Sequence, residues 1–444
     1  SALRVNTSDY NSAFGKSALE LNTTGSQNVA IGAYALDANT TGSNLVAIGA
    51  YALSSATTMS SSIAIGRRAA FNATTAGDIV AIGYQAAHEL TTGAHNIAIG
   101  QNALYNCTTA SYNLAIGKDA LEANVTGVQN IAIGFDSLTT ATGVDYSIAI
   151  GVNSQKNNQS GDSNVSVGWQ SMKEVTTGSS NTAIGNEVME NTTTGDQNTA
   201  LGRTALYNNT TGGNNTAIGQ SALKANTTAS KNTVVGRTAA FSLTTGSNNT
   251  FVGTECGYGT IDSFESVGVG YQALLADCGY QNVAVGSRAL ANYTGNANVA
   301  MGNQALEDCT TRNLNTAVGH DCMRDITTGS NNVAMGSGAL DASTTGSYNT
   351  AIGEGCMGAL TGSAGANTAV GRYALQVATT GSNNTCVGAD AGQSISTGNN
   401  NVCIGLDAGR SNSPSGNITT GSNNVVLGNN SITNLYCADT SISS

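Results

Sequence analysis

The chain has 444 residues, and only 10% of them are charged, against about 25% in an ordinary soluble domain. Its net charge is −11, and its 16 basic residues are scattered singly. That distribution excludes the clustered basic stripe of a nucleic-acid binder. No apolar run approaches the ~20 residues that cross a bilayer, and no signal peptide is visible, so membrane insertion is not expected.

A strict repeat dominates everything else. Val-Ala-Ile-Gly and its variants recur from Phe14-Gly15 onward, with 25 rung glycines that include Gly32, Gly49, Gly66, Gly83 and Gly100. Spacings are 17 residues, apart from two of 16, one of 18 and one of 23. A period of this length belongs to a solenoid, in which each repeat is one structural unit. It overrules the length prior of two or three globular domains. We therefore assign residues 1–430 to one repeat rod and residues 431–444 to a separate C-terminal segment.

Each rung is numbered from its glycine. Position −1 is large and apolar, as in Ile31 and Ile48; position −3 is mostly β-branched; position −2 is usually Ala. Position −4 is Asn in 20 of 25 rungs, including Asn28, Asn96 and Asn113. A two-residue period rich in β-branched residues predicts a short strand. Positions −1 and −3 then share one face, and −2 and −4 share the other. The fold class expected is all-β: a parallel β-solenoid of about 25 coils, extending on the order of 115 Å at ~4.8 Å per coil. The large −1 residues should fill the interior. Since both strand faces carry apolar residues, the other face should lie against a second chain. The small, nearly invariant Ala would let two backbones approach there. Asn28, Asn96 and Asn113 should form an amide ladder between coils.

The second half of each rung runs through Ala-Leu at +3 and +4 to a turn, as in Ala35-Leu36 and Asn39-Thr40-Thr41-Gly42. Glycine in this turn is expected to supply a positive φ. Ala-Leu fits a second strand or one helical turn, with a strand preferred. The many Asn-x-Ser/Thr sequons arise from this turn chemistry and are poor evidence of glycosylation. Irregular glycines near Gly257 and Gly268, and a long rung carrying Pro414, mark local departures from the repeat.

Little in the chain suggests catalysis. Nine cysteines show no CxxC spacing and mostly occupy core-type positions, as small buried hydrophobes do. His88 and His95 fall within one coil and are expected as a solvated pair; His320 is isolated. Asp262 and Glu265 complete no constellation. Trp169 either contacts a partner or lies across neighbouring coils. Catalytic residues, cofactors and metals are therefore all assigned as none. Thr182, Thr199, Thr216, Thr233 and Thr250 form a ladder of the kind that can meet ice, but at −3 they should share the face of the buried −1 residues.

The units Gly246-Ser247-Asn248-Asn249-Thr250 and Asn215-Thr216-Ala217-Ile218-Gly219 resemble the repeats of bacteriophage and giant-virus tail or neck fibres. At a shorter period, they also resemble the head repeats of trimeric autotransporter adhesins. This resemblance implies a left-handed β-roll wound as a homotrimer, located on a virion surface or outside a cell. Fibre projection, host attachment through a surface receptor or glycan, or rigid spacing would follow. A cellular adhesin or filament subunit is the alternative, and an ice-binding solenoid a lesser one. Residues 431–444 resemble the stretch that joins viral fibres to a self-cleaving intramolecular chaperone. The resemblance implies a maturation cut at Ser444, and the opening Ser1-Ala2-Leu3 is consistent with a longer precursor. Such a chaperone would set the register of chains that could otherwise slip by whole rungs.

Overall fold

In the computed structural model, Leu3, residues 6–309 and residues 313–434 are described. Two units divide the chain, Ser1–Lys231 and Asn232–Ser444. The first holds thirteen strands, from β1 (Ser12–Phe14) to β13 (Thr216–Ile218); the second holds twelve, from β14 (Thr233–Val235) to β25 (Val425–Leu427). Within each unit, every strand lies parallel to the next with equivalent residues in register, as in Val29↔Val46, Ala30↔Ala47 and Ile31↔Ile48. The 16- and 18-residue rungs keep this register, as Val283↔Val299 and Thr350↔Thr368 show. Each unit is thus a parallel β-solenoid with no helix among the described residues.

The strand faces are reversed from the sequence expectation. Ala30, Ala47, Ala64, Ala81 and Ala98 are fully buried, whereas Ile31 is 42% exposed and Ile48 is half-buried. The −2 and −4 residues point inward, and the −1 and −3 residues point out. Interior volume explains the reversal. Leu36, Leu53 and Leu104, at +4, fill the inside from the opposite limb and are also fully buried, leaving room for only a methyl group from the strand.

Exceptions to Ala at −2 support this account, because volume is conserved across the coil. Where Phe251 takes that position, +4 becomes Gly257, and a Cβ there would come within 3.0 Å of the Phe251 ring. Cys403 is matched in the same way by Gly409, whose added Cβ would lie 3.0 Å from Sγ.

The Ala-Leu limb is neither strand nor helix. Tyr34 and Leu36 have φ of 59° and 52°, and Tyr51 and Leu53 repeat the pattern at 61° and 48°. Left-handed residues alternate with ordinary ones, which aims successive amides at opposite neighbours. Tyr34 N–H donates to Lys16 O of the preceding rung (2.8 Å), and Leu36 N–H to Ala52 O of the following one (3.1 Å). Each left-handed residue costs about 1–2 kcal/mol, offset here by hydrogen bonds to both neighbouring coils.

Two kinds of glycine serve this geometry. Gly32 has φ +132°, and a Cβ on it would lie 2.6 Å from the carbonyl of Gly49. Conformation and stacking both demand glycine, and Gly49, Gly66, Gly83 and Gly100 repeat the arrangement. The turn glycine, Gly42, does not have the positive φ expected of it. It is needed for close approach instead: a Cβ would meet Asn39 Oδ1 at 2.5 Å and overlap Met59 O of the next coil.

Candidate functional site

Two features repeat on every regular rung: a polar ladder inside and an apolar face outside. Asn28, Asn96 and Asn113 belong to the ladder and are 0–1% exposed. Asn28 Oδ1 accepts the Leu45 N–H at 3.0 Å, and its Nδ2 donates to Gly42 O at 2.9 Å. Asn96 Oδ1 accepts the Asn113 N–H at 3.0 Å while its Nδ2 donates to Ala110 O at 2.8 Å. Asn113 accepts from Asn130 N–H and Nδ2 at 3.0 and 3.2 Å, and donates to Gly127 O at 2.9 Å. One side chain thereby ties its own strand to both the strand and the turn of the next coil. Buried amides must be satisfied to be tolerated, and these are.

Departures from Asn follow the same chemistry. Ser147 Oγ still accepts the Asn164 N–H at 3.2 Å. Where Leu45 offers no acceptor, β3 (Leu45–Ile48) and β4 (Ser62–Ile65) each gain a fourth residue. Sequon asparagines Asn22, Asn39 and Asn124, at +7, are fully buried, so a glycan on them is incompatible with the fold.

Outside, the −1 and −3 side chains form two adjacent columns. Ile63, Ile97, Ile184 and Leu201 are 37–45% exposed in the first unit, as are Met301 and Ile404 (both 44%) in the second. Neither column carries a charged residue on any strand. Thr182, Thr199 and Thr216 of the first unit, with Thr233 and Thr250 of the second, stand in the −3 column. They therefore face outward rather than inward as expected.

Among the described residues, no group of three or more His, Cys, Asp or Glu side chains could hold a metal ion. His88 and His95 do not form the solvated pair anticipated. His88 is 7% exposed, stacks between Phe71 and Tyr105 at 5.2 and 5.0 Å, and places Nδ1 2.8 Å from Glu89 Oε1. His95 stacks on Tyr112 instead. Asp262 borders a cleft with Asp277 and Tyr280, and Glu265 an adjoining one with Phe264 and Tyr280. A third cleft, of about 430 Å³, is lined by Arg237, Thr238, Glu255, Tyr258 and Leu275. Arg237 and Glu255 in its lining form a 3.2 Å ion pair. Trp169 is 46% exposed.

Among the described residues eight cysteines are buried and form no disulfide, and burial pushes the Cys107, Cys256, Cys322 and Cys356 thiols up to about 12. Cys386 stacks in register on Cys403; its hydrogen bond to that sulfur, with burial, holds it protonated. Cys437 and the anticipated maturation end at Ser444 lie outside the described residues.

The amide ladder could be found in the sequence from its fixed −4 position. The outward apolar face could not, because alternation groups residues by face without saying which face is inside. Compared with known protein families and with curated proteins, the chain matches none.

Proposed function

We propose that the chain is a structural fibre protein that associates with copies of itself as a homotrimer. It projects from a virion and serves host attachment or rigid spacing. The observation that carries this reading is the rung-to-rung bonding: strand, limb, turn and buried amide of one coil all bond to the next coil. A stack built this way gains stability one interface at a time and suits a mechanical role. Host contact through a surface receptor or glycan belongs to the same reading.

Solution mass and electron microscopy of the full chain test it together. Slender particles of about three times the 44.5 kDa chain mass are expected, and a compact monomeric particle would overturn it. Immunogold labelling with an antiserum to the chain should decorate particle surfaces; label confined to cell envelopes would favour a cellular adhesin.

One observation favours a second reading. The outward column Thr182, Thr199, Thr216 presents one hydroxyl per coil, at the regular spacing an ice-binding face requires. Thermal hysteresis of the purified chain decides this. Its absence at millimolar concentration removes the reading.

A further inference from the structure

The geometry points to the outward −3 and −1 columns, and not the alanines, as the surface on which copies of this chain meet. This rests on the fibre reading and deepens it by naming the face and its occupant. The first argument is area. A rung advances ~4.8 Å and its three strand residues span ~10 Å, so thirteen rungs present a strip of roughly 600 Å². The twelve rungs of the second unit present nearly as much again. On a typical monomer the largest apolar patch is ~300–600 Å² and often functional, while each partner in a stable complex buries ~800 Å². The strip of each unit alone therefore reaches the top of the monomer range; Thr or Ser stands at −3 on ten of the 25 rungs, and the −1 column is the part that stays apolar throughout.

Composition supplies the second argument. A column that faced only water would tolerate Lys, Glu or Asn, yet −1 is Ile, Val, Leu, Met or Phe on every strand. Size cannot be the constraint, because these side chains fill no interior.

The third argument identifies the occupant. Any surface that covers such a strip must offer apolar groups at the same ~4.8 Å interval over a dozen steps. A second copy of this chain carries that pattern; an unrelated globular partner does not. Charge also permits it: each copy is at −11, but the columns themselves are uncharged, so the copies can meet without burying charge. A closed three-fold arrangement places the copies parallel, with like rungs side by side.

The test compares the full wild-type chain with Ile97→Lys/Ile133→Lys, on the strip, and with Thr92→Lys/Thr126→Lys, at exposed turn positions. Solution mass should be near three chain masses for the wild type and for the turn variant. It should fall to one chain mass for the strip variant, with β-structure retained by circular dichroism. A strip variant that folds and remains trimeric overturns the inference and leaves the fibre reading standing. A monomeric wild type overturns the trimer itself. Should the strip variant fail to fold, Ile133→Cys and Thr126→Cys are treated with a bis-maleimide cross-linker. Covalent oligomers are expected only from Ile133→Cys; oligomers only from Thr126→Cys, or none from either in a trimeric sample, refute the assignment.

Discussion

Asn113 tests the ladder most sharply, because its partners and their alternatives are all defined. Asn113→Ala removes the acceptor for the Asn130 N–H and leaves that amide buried without a partner. Asn130 Nδ2 keeps Val144 O at 2.5 Å, and Gly127 O keeps Asn124 Nδ2 at 3.0 Å. The loss is therefore one orphaned amide, at about 1–3 kcal/mol, plus about 1 kcal/mol for the other two bonds together, since both of their partners keep another bond. About 2–4 kcal/mol is expected in total. Because coils couple mainly to their neighbours, the effect belongs in local opening rather than in a global midpoint. Native-state hydrogen exchange at the Asn130 amide should lose ~30-fold to ~1,000-fold protection, while the Asn198 amide, four coils away, holds its protection. Asn113→Ser provides the internal control. Ser147 shows that a hydroxyl reaches the next amide, so this variant should lose only about 1 kcal/mol. Equal losses for Ser and Ala, or unchanged protection at Asn130 in the Ala variant, would refute the ladder as the source of stability. Asn113→Asp adds a pH signature. Burial at this 1% exposed site and the facing Gly127 O would raise its folded pKa above the unfolded ~3.9, against the opposing pull of the Asn130 donors. The variant should be most stable below the unfolded value and lose stability as pH rises through the folded one.

Further outcomes can be measured in the same preparations. Gly32→Ala combines a φ of +132° with a Cβ 2.6 Å from Gly49; a loss of about 2–5 kcal/mol from strain and overpacking should appear as exchange in the two flanking coils. Gly268→Ala brings a Cβ to 2.7 Å from Cys256 Sγ and should cost about 1–3 kcal/mol; adding Cys256→Ala should recover part of it, read by denaturant titration. The thiols of Cys107, Cys256, Cys322 and Cys356 should resist an aromatic disulfide reagent in the folded chain and react fully once denatured. Their pKa rises from 9.0 unfolded to about 12 folded, so the unfolded state releases protons first. Their contribution to stability is complete below pH 9 and lost as pH climbs toward 12, which an alkaline unfolding titration checks against cysteine-to-alanine variants.

What the sequence determined alone was the period, the parallel register that follows from it, the strand before each glycine and the amide at −4. All of these depend on chemistry that repeats at fixed spacing, and spacing survives without coordinates. Which strand face lies inside was not determined, because Ala-Asn and Val-Ile both read as plausible interiors. The tertiary structure decided it through volume: Leu36 and its equivalents occupy the coil from the far limb, so only Ala fits opposite them. The limb itself was illegible for a related reason. Tyr34 and Leu36 have no intrinsic preference for left-handed backbone and adopt it only because coils above and below accept their hydrogen bonds. The turn glycine was misjudged in the same way, since the contact that requires it comes from Met59, one coil away. The glycine ladder announced a stack of coils, and the contacts between coils determined which residues it buries and which apolar face it leaves open.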